Sequence, residues 1–365
     1  MKIKAAVARE KEGRLNIEEI ELDEPREDEV IVRIAGSGIC HTDLMPWHET
    51  VPSRFPAVYG HEGAGVVEKV GSKVTEVKPG DKVVMSFNYC GVCIPCQDGF
   101  IGACVDHFKA NFSQQRYSDG SPTMRKGDEV IHGGFFCQSS WASHALGIEK
   151  SVVKIPDDVP VELFGPLGCG VQTGAGAVIN SLHPKAGDSI AIWGTGSVGM
   201  SAVMGAVVSG CGKIMVVDIN EERLALAKEL GATHTFNPTK CDPVAEIEKV
   251  TKWGADYALN CTGNLKAARQ VVDSVRIKGV AGLVGAPPLG AELSIDYWHT
   301  LLGRSIIGVC QGDSTPKLFI PKLIELWKQG RFPIDKIVKY YSLDQINEAM
   351  ADTLAGKTIK AIVKP

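Results

Sequence analysis

The clearest indication of the fold of this chain is a G-x-G-x-x-G motif, GTGSVG at residues 194–199. An apolar run, SIAIWG, leads into the motif, and a helical pattern continues from it through Val207. In this setting the glycines permit a tight turn and a close approach of the backbone to a pyrophosphate, while the helix N-terminus offers N–H groups to the anion. The motif therefore predicts a dinucleotide-binding turn.

The segments around this motif alternate between apolar strands and amphipathic helices. The strand-like runs are KIMVVD, YALNC, GVAGLVG and SIIGV, and a clear helix is EERLALAKELG. This βαβ rhythm predicts a Rossmann domain, a doubly wound parallel sheet with helices on both faces, over residues 171–309. Asp218 ends the strand after the motif, about 20 residues on, where a carboxylate accepts ribose hydroxyls and repels a 2′-phosphate. We therefore expect NAD rather than NADP.

The first 150 residues have a different pattern. Short β-rich runs, EVIVRIAGSG, GAGVVEKVG and DKVVM, are separated by Gly and Pro turns, and helical periodicity is scarce. We expect a β-rich domain over residues 1–170. Residues 310–365 are expected to join it, with TIKAIVK as a last strand that returns to this domain.

Four cysteines lie close together in the β-rich part, in a C-x2-C-x2-C-x7-C pattern: Cys90, Cys93, Cys96 and Cys104. Four thiolates at short spacing can close a tetrahedron around Zn²⁺ with no open position, as structural sites do. The alternatives are a set of buried free cysteines and an iron–sulfur cluster, whose usual cysteine runs have other spacings. The spacing favours structural zinc.

Charge and cysteine usage exclude several classes of protein. The chain has 39 Lys and Arg and 43 Asp and Glu, a net charge of −4 with both signs mixed along the chain. This distribution does not indicate a basic surface for nucleic acid or an acidic membrane.

The charged N-terminus, MKIKAAVAREKEG, is unlike a secretory signal, so we expect a cytoplasmic protein. Eleven cysteines, an odd number, argue against a disulfide framework. The long uncharged stretches 163–184 and 189–212 are interrupted by Gly and Pro, so we interpret them as buried elements rather than membrane spans.

Three further segments carry candidate metal ligands. They are GSGICHTD at residues 36–43, GHE at residues 60–62 and GPLGCG at residues 165–170. Taken singly, a buried cysteine is usually core packing and a lone histidine is usually a satisfied core or surface group. The chemistry of these residues alone does not join them.

The order of the motifs resembles that of the zinc-dependent medium-chain alcohol dehydrogenases. GICHTD, GHEGAG, the four-cysteine segment, GPLGCGVQTGAGAV and GTGSVG follow one another as in that family, over nearly the whole chain. FFCQSSWASHA and GPLGCGVQTGAGAV are most similar to the aryl-alcohol (benzyl alcohol) dehydrogenase branch. The resemblance implies an α/β protein with a chaperonin-10-like catalytic domain beside the Rossmann domain, and a homotetramer, or alternatively a homodimer.

The resemblance also implies a second metal site. Cys40, His61 and Cys169 are expected to hold a catalytic zinc, a ligand set known from this family, with its fourth position left for water or substrate oxygen. Glu62 is expected to approach the metal when ligands exchange. Asp43 is expected to accept the free N–H of His61 and fix its tautomer, with turn capping as the alternative.

Cofactor contacts are implied in the same way. Arg223 is expected to flank the adenosine ribose, while His41 and Lys360 are expected at the pyrophosphate; a surface charge is the alternative for each. Val198 is expected behind the nicotinamide ring and Thr173 beside it. The backbone near Val284 and Val309 is expected to hold the carboxamide of the nicotinamide. The full predicted set is His41, Thr173, Gly194, Gly196, Val198, Gly199, Asp218, Arg223, Val284, Val309 and Lys360.

A proton relay is implied for the reaction, in which zinc favours the alkoxide and a hydride passes to the nicotinamide. Thr42 is expected to accept the substrate proton and pass it to the cofactor ribose; a local backbone hydrogen bond is the alternative. Relatives often carry a histidine where this chain has Met45, which cannot relay a proton. The exit must then use water, His41 or His48. The predicted catalytic residues are Thr42, His41, Glu62 and Asp43.

The predicted substrates are primary aromatic or allylic alcohols of benzyl, cinnamyl or terpenoid type, oxidised reversibly to aldehydes. Aromatic residues at the active-site side of the first domain suit a flat ring, although core packing is the alternative for each: Trp47, Phe55, Phe87, Phe135, Phe136 and Trp141. The substrate pocket is assigned to Met45, Trp47 and Cys310. Other functions left open are an alcohol dehydrogenase of broader aliphatic specificity, a same-fold enone reductase without catalytic zinc, and a non-enzymatic nucleotide-binding protein.

Overall fold

A computed structural model describes all residues 1–365 and divides them into two compact units. We call them the β-rich unit and the Rossmann unit. The β-rich unit comprises Met1–Cys169, Thr315–Leu323 and Asp335–Pro365. The Rossmann unit comprises Gly170–Ser314 and Ile324–Ile334.

The Rossmann unit takes more of the chain after residue 309 than the sequence predicts. Ser314 Oγ donates to Gln172 Oε1 over 2.8 Å, and Ser181 Oγ donates to Asp313 Oδ2 over 2.6 Å. These side-chain bonds attach the turn at residues 311–314 to the start of the Rossmann unit. Phe332 and Ile334, both at most 1% exposed, supply the buried apolar side chains of the second added segment.

Two sheets form the β-rich unit. The first has the order β4-β1-β2-β7-β8. Its strands are β1 (Lys2–Ala8), β2 (Leu15–Leu22), β4 (Ala57–Val58), β7 (Met124–Lys126) and β8 (Glu129–Ile131). The second has the order β10-β6-β5-β3-β18-β17, with β9 paired to β3. Its strands are β3 (Glu29–Gly38), β5 (Glu62–Val70), β6 (Lys82–Met85), β9 (His144–Ile148), β10 (Val152–Lys154), β17 (Val338–Ser342) and β18 (Lys360–Lys364).

The last strand returns to the first domain, as the sequence predicts. β18 pairs antiparallel with β3, with Ile362 opposite Gly38 and Val363 opposite Ser37. This pairing brings Lys360, at the start of β18, near the segment that follows β3. The C-terminus therefore takes part in building the site described below.

The Rossmann unit contains one parallel sheet with the order β13-β12-β11-β14-β15-β16. Its strands are β11 (Ser189–Trp193), β12 (Lys213–Val217), β13 (His234–Phe236), β14 (Ala255–Asn260), β15 (Val275–Leu283) and β16 (Ser305–Gly308). All five residues of the central strand β11 are buried, as expected of a parallel strand covered on both faces. The predicted doubly wound sheet is therefore confirmed.

Eleven α-helices complete the chain. They are α1 (His41–Trp47), α2 (Ile94–Gln97), α3 (His107–Phe112), α4 (Gly170–Gly176), α5 (Ser197–Val208), α6 (Glu221–Glu229), α7 (Pro243–Thr251), α8 (Leu265–Ser274), α9 (Tyr297–Leu301), α10 (Pro316–Lys328) and α11 (Ile346–Leu354). α4 continues into a π-helical segment, Ala177–Leu182. No helix has both the length and the apolar character needed to cross a membrane.

Candidate active site

A buried carboxylate joins two distant segments of the β-rich unit. Cys40 is the N-cap of α1, and its backbone N–H donates to Asp43 Oδ2 over 2.9 Å. The other oxygen, Oδ1, accepts from the Gly60 N–H over 3.1 Å and lies 2.6 Å from His61 Nδ1. Asp43 has no exposed surface. One oxygen of Asp43 therefore caps the helix, and the other lies against the imidazole. The two contacts expected as alternatives from the sequence occur together.

The turn before β5 aims the His61 ring. Gly60 has a φ of +92°, and a Cβ at this position would lie 2.4 Å from Cδ1 of Trp141. Only glycine fits there without strain and without moving the indole. With Nδ1 held by Asp43, the ring presents Nε2 to Cys169 Sγ at 3.2 Å.

Four potential ligands converge where the sequence predicts the catalytic metal. The ligand atoms of Cys40, His61, Glu62 and Cys169 all lie within 4.8 Å of one another. Two thiols, one imidazole nitrogen that faces them and a carboxylate in place of the open position form a donor set that fits Zn²⁺. The structure thus brings together the three predicted ligands, which the chain separates widely.

Mutual hydrogen bonds and charges shift the pKa values of this cluster. A hydrogen bond from the Cys169 thiol and the nearby His61 hold the pKa of Cys40 well below its usual range, despite burial. Burial lowers the pKa of His61, but the charge of Asp43 and its hydrogen bond outweigh burial and raise that pKa to about 10. Metal binding requires thiolates and a neutral imidazole, so it releases protons here.

Lys360 forms a buried ion pair that no pattern in the sequence predicts. Its ammonium lies 2.7 Å from Glu62 Oε2 and donates to the Ile39 carbonyl over 3.0 Å, and the residue is 2% exposed. Burial lowers the pKa of Lys360, but the negative charge of Glu62 raises it above its usual value. The structure therefore shows Lys360 holding Glu62, while the predicted pyrophosphate contact stays a prediction.

The four-cysteine segment forms a second compact cluster. The thiols of Cys90, Cys93, Cys96 and Cys104 lie within 4.8 Å of one another. The N–H groups of Val92 and Cys93 each donate to Cys90 Sγ over 3.4 Å, and these bonds lower the Cys90 pKa to about 6. Four sulfur donors with no other ligand fit a closed tetrahedral Zn²⁺ site.

The residues proposed for proton transfer all lie on or beside α1. Thr42 and Met45 are half-buried, and His41 is exposed at the helix start. His48 follows the helix, and its Nδ1 lies 2.6 Å from Glu12 Oε1. A glutamate thus already holds one nitrogen of this candidate exit group.

Most of the predicted aromatic wall is core. Phe87, Phe135, Phe136 and Trp141 are at most 1% exposed and belong to the main apolar cluster of the β-rich unit. Phe55 and Trp47 pack against that cluster, and Trp47 Nε1 donates to the Gly13 carbonyl over 3.1 Å. The sequence could not separate a pocket wall from core packing, because both use the same residue types. Of the buried rings, Phe136 approaches the site most directly, with its centroid 4.4 Å from that of His61.

The glycine motif of the Rossmann unit has the geometry expected of a dinucleotide turn. Gly194 has a φ of +93°, and a Cβ on Gly199 would lie 1.8 Å from the Gly194 carbonyl oxygen. A Cβ on Gly196 would meet no atom within 4 Å. Gly194 therefore permits the turn, and Gly199 permits the close packing of the helix on the strand. Gly196 borders open space that a pyrophosphate can approach.

Asp218 follows β12 and is held rigidly. Its Oδ2 accepts from Thr195 N at 2.7 Å and Thr195 Oγ1 at 2.6 Å, and its Oδ1 accepts from Asn220 N at 2.9 Å. Arg223 lies in the first turn of α6, where its N–H is capped by Asn220 Oδ1. The carboxylate is thus placed beside the glycine turn.

The remaining predicted cofactor contacts lie elsewhere in the Rossmann unit. Val198 is half-buried in the first turn of α5, and the Thr173 hydroxyl lies 3.4 Å from Gln311 Oε1. The N–H groups of Val284 and Val309 donate to the carbonyls of Asn260 and Leu283 at 3.0 and 2.9 Å, so their free polar groups are carbonyls. Cys310, assigned to the substrate pocket, is half-buried, and burial raises its pKa to about 11.

Two family models match the chain. Residues 26–157 match the alcohol dehydrogenase GroES-like domain, and residues 197–328 match the zinc-binding dehydrogenase domain. Geraniol dehydrogenase of Castellaniella defragrans is 41% identical over 98% of this chain and 96% of that protein.

Solved structures also match over the full length. Benzyl alcohol dehydrogenase of Acinetobacter calcoaceticus is 44% identical, with a TM-score of 0.96 over 100% of this chain and 99% of that one. An alcohol dehydrogenase zinc-binding domain protein of Burkholderia ambifaria is 47% identical, with a TM-score of 0.98 and the same coverage.

We expect variants of the two cysteine clusters to behave differently. Cys93→Ser should lower the free energy of unfolding by about 4 kcal/mol or more, because loss of a structural metal is among the largest single-site effects. Cys169→Ser should abolish turnover and leave the fold largely intact. Zinc analysis, thermal unfolding and an alcohol assay measure these effects. A wild-type protein that carries one zinc or fewer per chain would contradict the assignment of two sites.

Asp43→Ala should lower zinc affinity at the Cys40–His61–Cys169 cluster by about 10- to 100-fold, a typical effect of losing the residue that orients a metal-binding histidine. Competition with a chelator measures this affinity. Asp43→Asn, which keeps the shape and one acceptor oxygen, should retain more zinc than Asp43→Ala. Wild-type affinity and turnover in Asp43→Ala would show that this carboxylate does not position the ligand.

Proposed function

This chain belongs to the zinc-dependent alcohol dehydrogenase family, and we propose that it oxidises primary aromatic or allylic alcohols reversibly to aldehydes, with NAD as the hydride acceptor. The observation that carries the proposal is the convergence of Cys40, His61 and Cys169 around one point. A same-fold enone reductase without catalytic zinc would have no use for this ligand set.

We further propose two zinc ions per chain, one in each cluster of ligands. A bound zinc ion supplies Lewis acidity, which lowers the pKa of an alcohol hydroxyl toward neutrality. Asp43 keeps the His61 tautomer that exposes Nε2, and Lys360 neutralises Glu62 in the buried surroundings. Thr42, two residues after Cys40, is assigned to accept the substrate proton, which then leaves through water, His41 or His48.

NAD is favoured over NADP by the carboxylate beside the glycine turn. Asp218 is held by three hydrogen bonds from Thr195 and Asn220. A fixed negative charge at this place accepts ribose hydroxyls and repels a 2′-phosphate. The carbonyls of Val284 and Val309 are suited to accept from the amide of the nicotinamide.

The substrate class is supported by relatives rather than by an aromatic wall. The relatives named above are a geraniol dehydrogenase, whose name denotes an allylic terpenoid alcohol, and a benzyl alcohol dehydrogenase. Met45 is apolar and half-buried on α1, in the segment that also supplies Cys40. The names of the relatives favour an unsaturated carbon next to the carbon that bears the hydroxyl, and Met45 favours an apolar substrate.

A homo-oligomer is proposed as well, a homotetramer or a homodimer. β16 is an edge strand of the Rossmann sheet. In the segment of the chain that precedes it, five apolar side chains are more than half exposed: Leu289, Tyr297, Trp298, Leu301 and Leu302. An unpaired edge and exposed apolar groups of this size are typical of a surface that another chain covers. A second copy of this chain is the occupant that we propose.

Asp218→Ala should weaken the use of NAD and relax discrimination against NADP. Charge-assisted hydrogen bonds of about 1.5–3 kcal/mol predict a fall of about 10- to 100-fold in kcat/KM for NAD. Asp218→Asn is the matched control, since it keeps the shape but loses the charge that repels a phosphate. Equal efficiency of the wild type with NADP and NAD would contradict this role.

The kcat/KM for benzyl or cinnamyl alcohol should exceed that for ethanol by at least about two orders of magnitude, which corresponds to about 2.7 kcal/mol of transition-state binding. A phenyl ring buries far more apolar surface than a methyl group, and conjugation stabilises the aldehyde. Alcohol-dependent NADH formation across a panel of alcohols measures this preference. Comparable efficiency with ethanol would leave the family assignment intact and indicate a broader aliphatic specificity. No NADH formation with any alcohol would contradict the proposed activity and leave the enone reductase and the non-enzymatic nucleotide-binding protein.

A further inference from the structure

A buried glutamine holds the backbone on both sides of the His61 segment. Gln138 Nε2 donates to the His61 carbonyl over 2.9 Å, and Gln138 Oε1 accepts from the Gly63 N–H, also over 2.9 Å. The residue is 1% exposed. One side-chain amide therefore satisfies two buried backbone groups, one of which belongs to a proposed metal ligand.

These two bonds replace those of a missing strand neighbour. Within β5, residues Ala64, Gly65 and Val66 pair with β6, and β6 does not extend to His61 or Gly63. Alternate residues of an extended strand point their polar groups to the same side, so the His61 carbonyl and the Gly63 N–H border one gap. The Gln138 amide fills that gap with one donor and one acceptor.

The loop that carries Gln138 is held in an unusual conformation. Phe136, Cys137 and Ser139 have φ values of +51°, +55° and +51°, which non-glycine residues rarely adopt. Ser139 Oγ accepts from Phe135 N over 3.0 Å and donates to the Val58 carbonyl over 2.7 Å. Such backbone persists only where the surroundings hold it, and it clusters at functional sites.

The same loop also contacts the imidazole itself. The Phe136 ring lies against His61, with the centroids 4.4 Å apart and the planes tilted by 31°. Asp43 holds Nδ1 of that ring. His61 is thus fixed at its ring nitrogen, at its ring face and, through Gln138, at its backbone.

We propose that Gln138 is a positioning residue for the zinc ligand His61, because its amide locks the backbone from which the imidazole projects. The inference rests on the proposed catalytic zinc. It assigns to Gln138, in the segment FFCQSSW, a role in metal retention and turnover, beyond the packing of the β-rich unit.

The test compares two buried glutamines that make the same kind of clamp. Gln114 is also 1% exposed; its Oε1 accepts from the Arg54 N–H over 2.8 Å, and its Nε2 donates to the Arg54 carbonyl over 3.3 Å. Its Oε1 also accepts from Ser53 Oγ over 3.5 Å, and neither Arg54 nor Ser53 is a proposed ligand. Gln138→Met and Gln114→Met each keep the chain length and remove two backbone bonds. Both should therefore lower the unfolding temperature by similar amounts.

Only Gln138→Met should affect the metal. We expect one of its two zinc ions to be lost to a chelator about 10- to 100-fold faster than in the wild type, and kcat to fall by a similar factor, with KM for NAD unchanged. Gln114→Met should keep wild-type zinc release and kcat. Equal rates of zinc release and equal kcat values in the two variants would overturn the proposal.

Gln138→Asn serves as the second variant, since it keeps the amide but ends one methylene short. It should release zinc at a rate between those of the wild type and Gln138→Met, or, if Gln138→Met does not fold, faster than the wild type. Wild-type zinc release in Gln138→Asn would also overturn the proposal. A wild-type protein without zinc in this cluster would instead refute the proposed function on which the inference rests.

Discussion

The arrangement of the active site depends on one buried carboxylate. Asp43 accepts hydrogen bonds from the backbone of Cys40 and Gly60 and holds Nδ1 of His61, all without contact with solvent. A buried charge is tolerated only when such partners satisfy it. The same bonds that satisfy the charge also hold the backbone of Cys40 and the ring of His61, so the start of α1 and two of the predicted zinc ligands depend on one carboxylate.

Other segments complete the site around that carboxylate. Cys169 follows a glycine-rich turn and faces Nε2 of His61, while Lys360, on the last strand, holds Glu62. The pairing of β18 with β3 explains why the C-terminus belongs to the β-rich unit. Because each segment contributes one or two groups, the site exists only when the strands of this unit are in register.

The parts of the molecule that the sequence predicted are those specified by local patterns. The Rossmann sheet follows from the alternation of apolar runs and helices, and the four-cysteine cluster follows from spacing within one short segment. No such pattern joins Cys40, His61 and Cys169, because the spacing of residues far apart in the chain does not predict whether they meet. Only the resemblance to a known family predicted that they form one site.

The ion pair of Lys360 and the two backbone bonds of Gln138 depend on packing between distant segments, which the sequence does not show. The three polar residues between FF and W in FFCQSSW are the one indication of buried polar groups there. The aromatic residues left two interpretations open for a related reason, since ring type does not distinguish Phe135 in a core from a ring that lines a pocket.

Diffraction data collected on either side of the zinc absorption edge, from crystals grown without added metal, would locate any zinc bound in the two clusters. We expect two anomalous peaks per chain, one among Cys90, Cys93, Cys96 and Cys104 and one among Cys40, His61 and Cys169. A peak in the four-cysteine cluster alone, with Cys40, His61 and Cys169 joined only by hydrogen bonds, would contradict the account of this site as a zinc-dependent catalytic centre.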